Sequence, residues 1–145
     1  MGTTEQALDV RVRCGSRREW IDAMQAVAER VFSIAGIDAE TSYWPVLAVR
    51  EAVMNAVLHG NKESQDKDVR VEYRIVDSRI EVRVFDEGEG FDPETLADPL
   101  SEENLLSQGG RGVYLIRQLM DDVTFSFPES GGTQLHMVKN LNGAS

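Results

Sequence analysis

One cysteine in 145 residues, Cys14, leaves no partner for an internal disulfide and excludes a multi-cysteine metal site. No apolar run reaches the roughly 18 residues that a membrane-spanning helix needs, and the N-terminal segment lacks the basic, apolar and small-residue zones of a secretory signal. Together these point to a cytoplasmic setting in which thiols stay reduced. Basic charge is also scarce: 15 Lys and Arg against 25 Asp and Glu give a net charge of −10. Nucleic acid and anionic membrane both demand basic surface, so this balance argues against direct contact with either. Repeats, low-complexity tracts and linkers are missing too, and residues 1–145 read as one domain long enough to bury a core.

What is present is a regular alternation of periodicities. Residues 7–13 alternate as a strand. Ser16 and Glu19 have the spacing of a capping box, and the helix they would open carries Trp20, Ile21, Met24, Val27, Ala28 and Val31 before stopping near Gly36. The spacing predicts a second helix over 42–59, with Pro45 tolerable only in its first turn and Gly60 ending it as a left-handed cap. Residues 69–76 and 79–86 alternate about Asp77-Ser78 in the pattern of an antiparallel hairpin. A glycine-rich turn at 86–90 is followed by a loop with five acidic and no basic residues between Asp92 and Gln108. A helix is then expected over 113–121, and strands over 122–127 and 133–139. This order predicts an α+β fold, a two-layer sandwich with helices on one face of a mixed, largely antiparallel sheet.

Three places carry more than packing requires. In the second helix, Val46, Val49, Ala52, Val53, Ala56 and Val57 suit burial against a sheet, whereas Glu51 and Asn55 do not. Four residues apart, these two point the same way. An unpaired buried carboxylate is costly, so the row either opens onto a ligand, metal or water, or forms an internal pair. Asn55 offers the neutral oxygen that can complete the shell of a phosphate-held Mg2+, and Glu51 can take a proton from an attacking hydroxyl. Asp86-Glu-Gly-Glu-Gly90-Phe-Asp is either a tight turn or a site where Gly88 and Gly90 let backbone approach a flat ligand whose amine Asp86 accepts from. Ser107-Gln-Gly-Gly-Arg-Gly112 is either a flexible connector or a phosphate cradle, without the P-loop or dinucleotide spacing. His59 reads as a partner of the helix dipole, His136 receives no role, Cys14 has no base beside it, and Trp20, Trp44 and the methionines read as core or interface.

In combination and in order, Glu51-Ala-Val-Met-Asn55-Ala, Asp86-Glu-Gly88-Glu-Gly90-Phe-Asp, Gly109-Gly-Arg-Gly112 with Leu-Ile-Arg-Gln-Leu-Met-Asp-Asp, and Gly132-Thr133 resemble the GHKL (Bergerat-fold) ATPases. They stand where that superfamily has its N box, two glycine boxes and closing Gly-Thr. The run Asn-Ala-Val-Leu-His-Gly-Asn and the Leu-Met-Asp-Asp-Val that follows the second glycine box look like the anti-sigma factor serine/threonine kinases of the RsbW type. The resemblance implies ATP and Mg2+ as cofactors, Glu51 as general base and Asn55 as the Mg2+ ligand. It implies that Asp86 accepts from the adenine amino group, with Gly88 and Gly90 shaping that side. Gly109, Gly110 and Gly112 would form the hinge and phosphate-contacting end of a lid over about 92–110. Arg111 would reach the γ-phosphate, and Thr133 would back Asp86 through a hydroxyl or water.

Other branches of that superfamily need parts not expected here: an upstream dimerisation helix pair with a phosphorylated histidine, or a further domain carrying a phosphate-contacting lysine. The resemblance therefore implies an ATP-dependent protein serine/threonine kinase, an anti-sigma factor of a partner-switching module. It would phosphorylate a STAS-domain anti-sigma factor antagonist, bind a sigma factor, and form a homodimer through its N-terminal strand and first helix. The alternative is an ATP-gated protein-binding module with little or no kinase activity.

Overall fold

The computed structural model describes residues 7–89 and 108–141, with 108–111 by backbone alone. Strands β1 (Ala7–Gly15), β2 (Asp68–Val76), β3 (Arg79–Asp86), β4 (Asp122–Ser126) and β5 (Thr133–Asn140) form one sheet in the order β1-β2-β3-β5-β4, with every pairing antiparallel. Helices α1 (Glu19–Ile34), α2 (Ala39–Asn55) and α3 (Gln108–Leu119) make the second layer. This is the expected α+β sandwich. Side chains alternate across a strand, so Val69, Val71, Tyr73, Ile80, Val82, Leu135 and Met137 face inward onto Met24, Phe32, Val49, Val53 and Ile116 in one core. The intervening Arg70, Glu72, Glu81, Arg83 and His136 occupy the open face.

Several local expectations yield to tertiary packing. Ser16 does not cap α1: the N-cap is Arg18, with no side-chain cap bond. Ser16 is instead 1% exposed and donates its hydroxyl to the Lys67 carbonyl. Helix α2 starts at Ala39, three residues before position 42, because Asp38 caps it, accepting from the Thr41 N–H at 2.7 Å. Pro45 consequently lies in the second turn, where it withholds a hydrogen bond from the Thr41 carbonyl; burial of Pro45, Val46, Val49 and Val53 compensates.

Past Asn55 the chain widens into a π-helical segment, Ala56–Gly60, closed by the Asn61 N–H on the Ala56 carbonyl at 2.8 Å. Gly60 is therefore not a left-handed cap; Lys62 and Glu63 carry the positive φ angles of 51° and 58°. Helix α3 begins at Gln108, so Gly109, Gly110 and Gly112 lie within it rather than in a loop before it. Glycine's poor helix propensity argues for the loop, and packing of α3 against α2 overrides it. Trp20 and Trp44, at 43% and 52% exposed, are not core. His136, given no role by its sequence context, has an acidic neighbour in Glu81 on the adjoining strand, whose Oε1 lies 3.0 Å from its Nε2. Burial raises the Cys14 pKa, with Asp68 adding to the effect, which disfavours a reactive thiolate. Among the described residues no helix is long and apolar enough to cross a membrane.

Tyr73 is 1% exposed and meets Phe32 edge-on at 5.8 Å. Its hydroxyl is the one buried side-chain polar group without a partner among the described residues, and burial raises its pKa. Burying such a group unpaired costs about 1–3 kcal/mol. Tyr73→Phe should therefore raise the thermal midpoint by about 2–6 °C, read by calorimetry; a fall would show that the hydroxyl is paired.

Candidate active site

Two polar groups of α2 and a set of distant glycines converge where the end of α2 meets α3 and the adjoining ends of β3 and β5. Glu51 and Asn55, one turn apart, are both partly buried. Burial raises the Glu51 pKa above the ordinary 4.5, the Arg50 charge opposes it, and no hydrogen bond contributes. Arg50 itself is committed to α1, donating to Asp22 at 2.6 Å and Gln25 at 2.8 Å. Among the described residues, then, Glu51 has no hydrogen-bonded partner. A desolvated carboxylate with a raised pKa is a better proton acceptor near neutrality than an exposed one.

Asn55 is met by α3. A Cβ placed on Gly112 would come within 2.6 Å of Asn55 Nδ2 and 2.8 Å of its Oδ1. The glycine inside α3 is therefore a close-approach position, which brings the second glycine box against the row of Glu51 and Asn55. Gly109 and Gly110 lie in the first turn of α3, where N–H groups have no intrahelical partner and the helix dipole is positive.

Asp86 closes β3. Burial raises its pKa, partly offset by the N–H groups of Gly88, at 2.9 Å from Oδ1, and of Thr133. Two glycines make room for it and a third makes room for one of them. A Cβ on Gly60 would strike the Asp86 carboxylate, one on Gly88 the Gly60 carbonyl, and one on Gly132 the Asp86 carbonyl. Thr133 is buried and pairs with Asp86 across β3 and β5, so its link to Asp86 runs through the backbone N–H. Gly90 and the acidic segment over 92–107 lie outside the described residues, and so does the Arg111 side chain.

A cavity of about 540 Å³ behind Asp86 is walled by Arg13, Arg70 and Phe85, with Arg70 stacked 4.0 Å from the Phe85 ring. Those side chains belong to the open sheet face, and neither Glu51 nor Asn55 lines the cavity, so it is separate from the α2 row.

Gly60 and Asn61 were missed by sequence reading. Gly60 reads as a helix stop, because the carboxylate it accommodates is 26 positions away in the chain. Asn61 looks like any polar residue after a helix, yet it is 1% exposed. An amide directly after the predicted helix stop was its only signal.

Residues 15–139 match the family described as the histidine kinase-like ATPase domain. The chain is 31% identical over 139 residues to the serine-protein kinase RsbW of Listeria innocua serovar 6a, covering 92% of this chain and 87% of that relative. It is 33% identical over 140 residues to the serine-protein kinase RsbW of Staphylococcus aureus, covering 92% and 86%.

Proposed function

The chain belongs to the histidine kinase-like ATPase domain family, and on that footing we propose that it is an ATP-dependent protein serine/threonine kinase and anti-sigma factor. In this reading residues 1–145 form one kinase domain with a lid over about 92–110. The observation that carries it is the desolvated carboxylate of Glu51, without a hydrogen-bonded partner among the described residues, one turn from an Asn55 amide packed under α3. The naming of both relatives as serine-protein kinases supports it.

Asp86 accepts from the adenine amino group, and Gly88 and Gly90 let the ring come close. Gly109 and Gly110 offer first-turn N–H groups to phosphate oxygens, Gly112 keeps α3 against Asn55, and Arg111 reaches the γ-phosphate. Thr133 holds Asp86. The donor set suits Mg2+ held mainly by phosphates: Asn55 supplies one neutral oxygen, and among the described residues no group of three His, Cys, Asp or Glu could hold a metal alone. When bound, Mg2+ would neutralise phosphate charge as it develops. Glu51 takes the proton of the incoming serine or threonine hydroxyl while that oxygen bonds the γ-phosphorus. The bond from phosphorus to the bridging oxygen breaks, and ADP leaves.

The phosphoryl acceptor is a STAS-domain anti-sigma factor antagonist, the second partner a sigma factor, the assembly a homodimer, and the compartment the cytoplasm. The ATP-gated binding module is the competing reading, and a pocket that only gates binding has no use for a desolvated carboxylate at position 51. Incubation with Mg2+, γ-labelled ATP and STAS-domain proteins separates the two. Label on a serine or threonine of such a protein is expected. An ATP-dependent complex carrying no label would establish the gated module instead.

A further inference from the structure

We propose that Asn61 is a positioning residue for base recognition: its side chain holds the Glu87 backbone and so sets where Asp86 and Gly88 present their polar groups. This rests on the nucleotide-pocket reading above.

Three of the four hydrogen-bonding sites on the buried Asn61 amide are occupied. Nδ2 donates to Ser16 Oγ at 2.9 Å and to the Asp68 carbonyl at 3.0 Å, and Oδ1 accepts from the Glu87 N–H at 2.8 Å. The partners dictate the amide orientation. Ser16 commits its own proton to the Lys67 carbonyl, so toward Asn61 it can only accept, and the Asp68 carbonyl has no proton to give. A flipped amide would set its oxygen against two acceptors and its NH2 against an N–H. The atom facing Glu87 is therefore an acceptor by necessity.

Glu87 sits between Asp86 and Gly88, the two residues assigned to the base. Its side chain returns to the same place, Oε2 accepting from the Asp68 N–H, so Asn61, Asp68 and Glu87 form a closed ring of contacts. Beside them Gly60 packs on the Asp86 carboxylate and Gly88 packs on Gly60. The π-helical segment Ala56–Gly60 thus joins both ends of the pocket: Asn55 directly before it on the metal side, Gly60 and Asn61 on the base side. Its wide turn delivers Asn61 inward. Adenine presents an amino donor where guanine presents a carbonyl, so a fixed Asp86 acceptor favours ATP over GTP, and an acceptor free to drift discriminates less.

Calorimetric titration of wild type and Asn61→Ala with Mg·ATP and Mg·GTP tests this, with Ser16→Ala as the control that removes one partner of Asn61 yet leaves its Oδ1 to accept from Glu87. Wild type should prefer ATP. Asn61→Ala should lose about tenfold in ATP affinity with little change for GTP, and Ser16→Ala should retain the preference. An unchanged ATP-to-GTP ratio in Asn61→Ala, accompanied only by a lower thermal midpoint, would make the residue structural and overturn the proposal. Wild type that binds neither nucleotide would overturn the pocket reading itself. Should Asn61→Ala not fold, hydrogen exchange in wild type decides: the Glu87 amide should be protected, and exchange at the rate of a free loop overturns the proposal.

Discussion

Glu51→Gln should bind Mg·ATP as wild type does and lose phosphoryl transfer by about a hundredfold to ten-thousandfold, the range supplied by a positioned general base. The substitution keeps size and shape, so the Asn55 contact with α3 survives and only the capacity to take a proton is removed. The pH profile gives an independent reading. Burial raises the Glu51 pKa above 4.5, so its basic form is lost as pH falls through that raised value. The acid limb of the wild-type rate should therefore lie above the range of an ordinary glutamate, and residual transfer by Glu51→Gln should lack that limb. Single-turnover transfer across pH, with nucleotide binding measured alongside, checks both. Transfer at the wild-type rate by purified Glu51→Gln would remove Glu51 from the chemistry and favour the gated module.

Asn55→Ala is the second large effect, and it falls on binding. Losing one metal-directed oxygen should weaken Mg·ATP affinity by about tenfold to hundredfold, while the smaller metal-free affinity measured in chelator stays nearly unchanged. Because the Asn55 amide also lies against Gly112, truncation leaves a gap under α3. Asn55→Asp is the control, retaining both the volume and an oxygen, and it should keep the dependence on Mg2+. An Asn55→Ala protein that keeps the wild-type affinity for Mg·ATP, and with it the full gain over the metal-free affinity, would disprove the ligand assignment.

Much of this molecule could be read along the chain. The two-layer α+β sandwich follows from period-two runs such as Val69, Val71, Tyr73 and Ile75 beside helical spacing in α1 and α2. The Glu51 and Asn55 row follows from a four-residue spacing that any helix turns into a shared face. These are local signals, complete within a few residues.

Failures of local reading share one cause, which is competition from partners far away in the chain. Ser16 has the spacing of a helix cap, yet Lys67, 51 positions on, takes its proton. Gly60 resembles a helix stop, yet it is glycine because a carboxylate at position 86 occupies the space a side chain would need. Gly112 resembles part of a loop, and packing on Asn55 keeps it in a helix.

Residue types and short spacings thus set the fold class and named Glu51, Asn55 and Asp86 before any coordinates. The assembled chain alone shows that Asn55 meets α3, that Gly60 and Gly132 pack against Asp86, and that a π-helical segment connects Asn55 to Asn61. Spacing tells which way a side chain points, but how closely two backbones approach depends on the folding of segments that no local pattern connects.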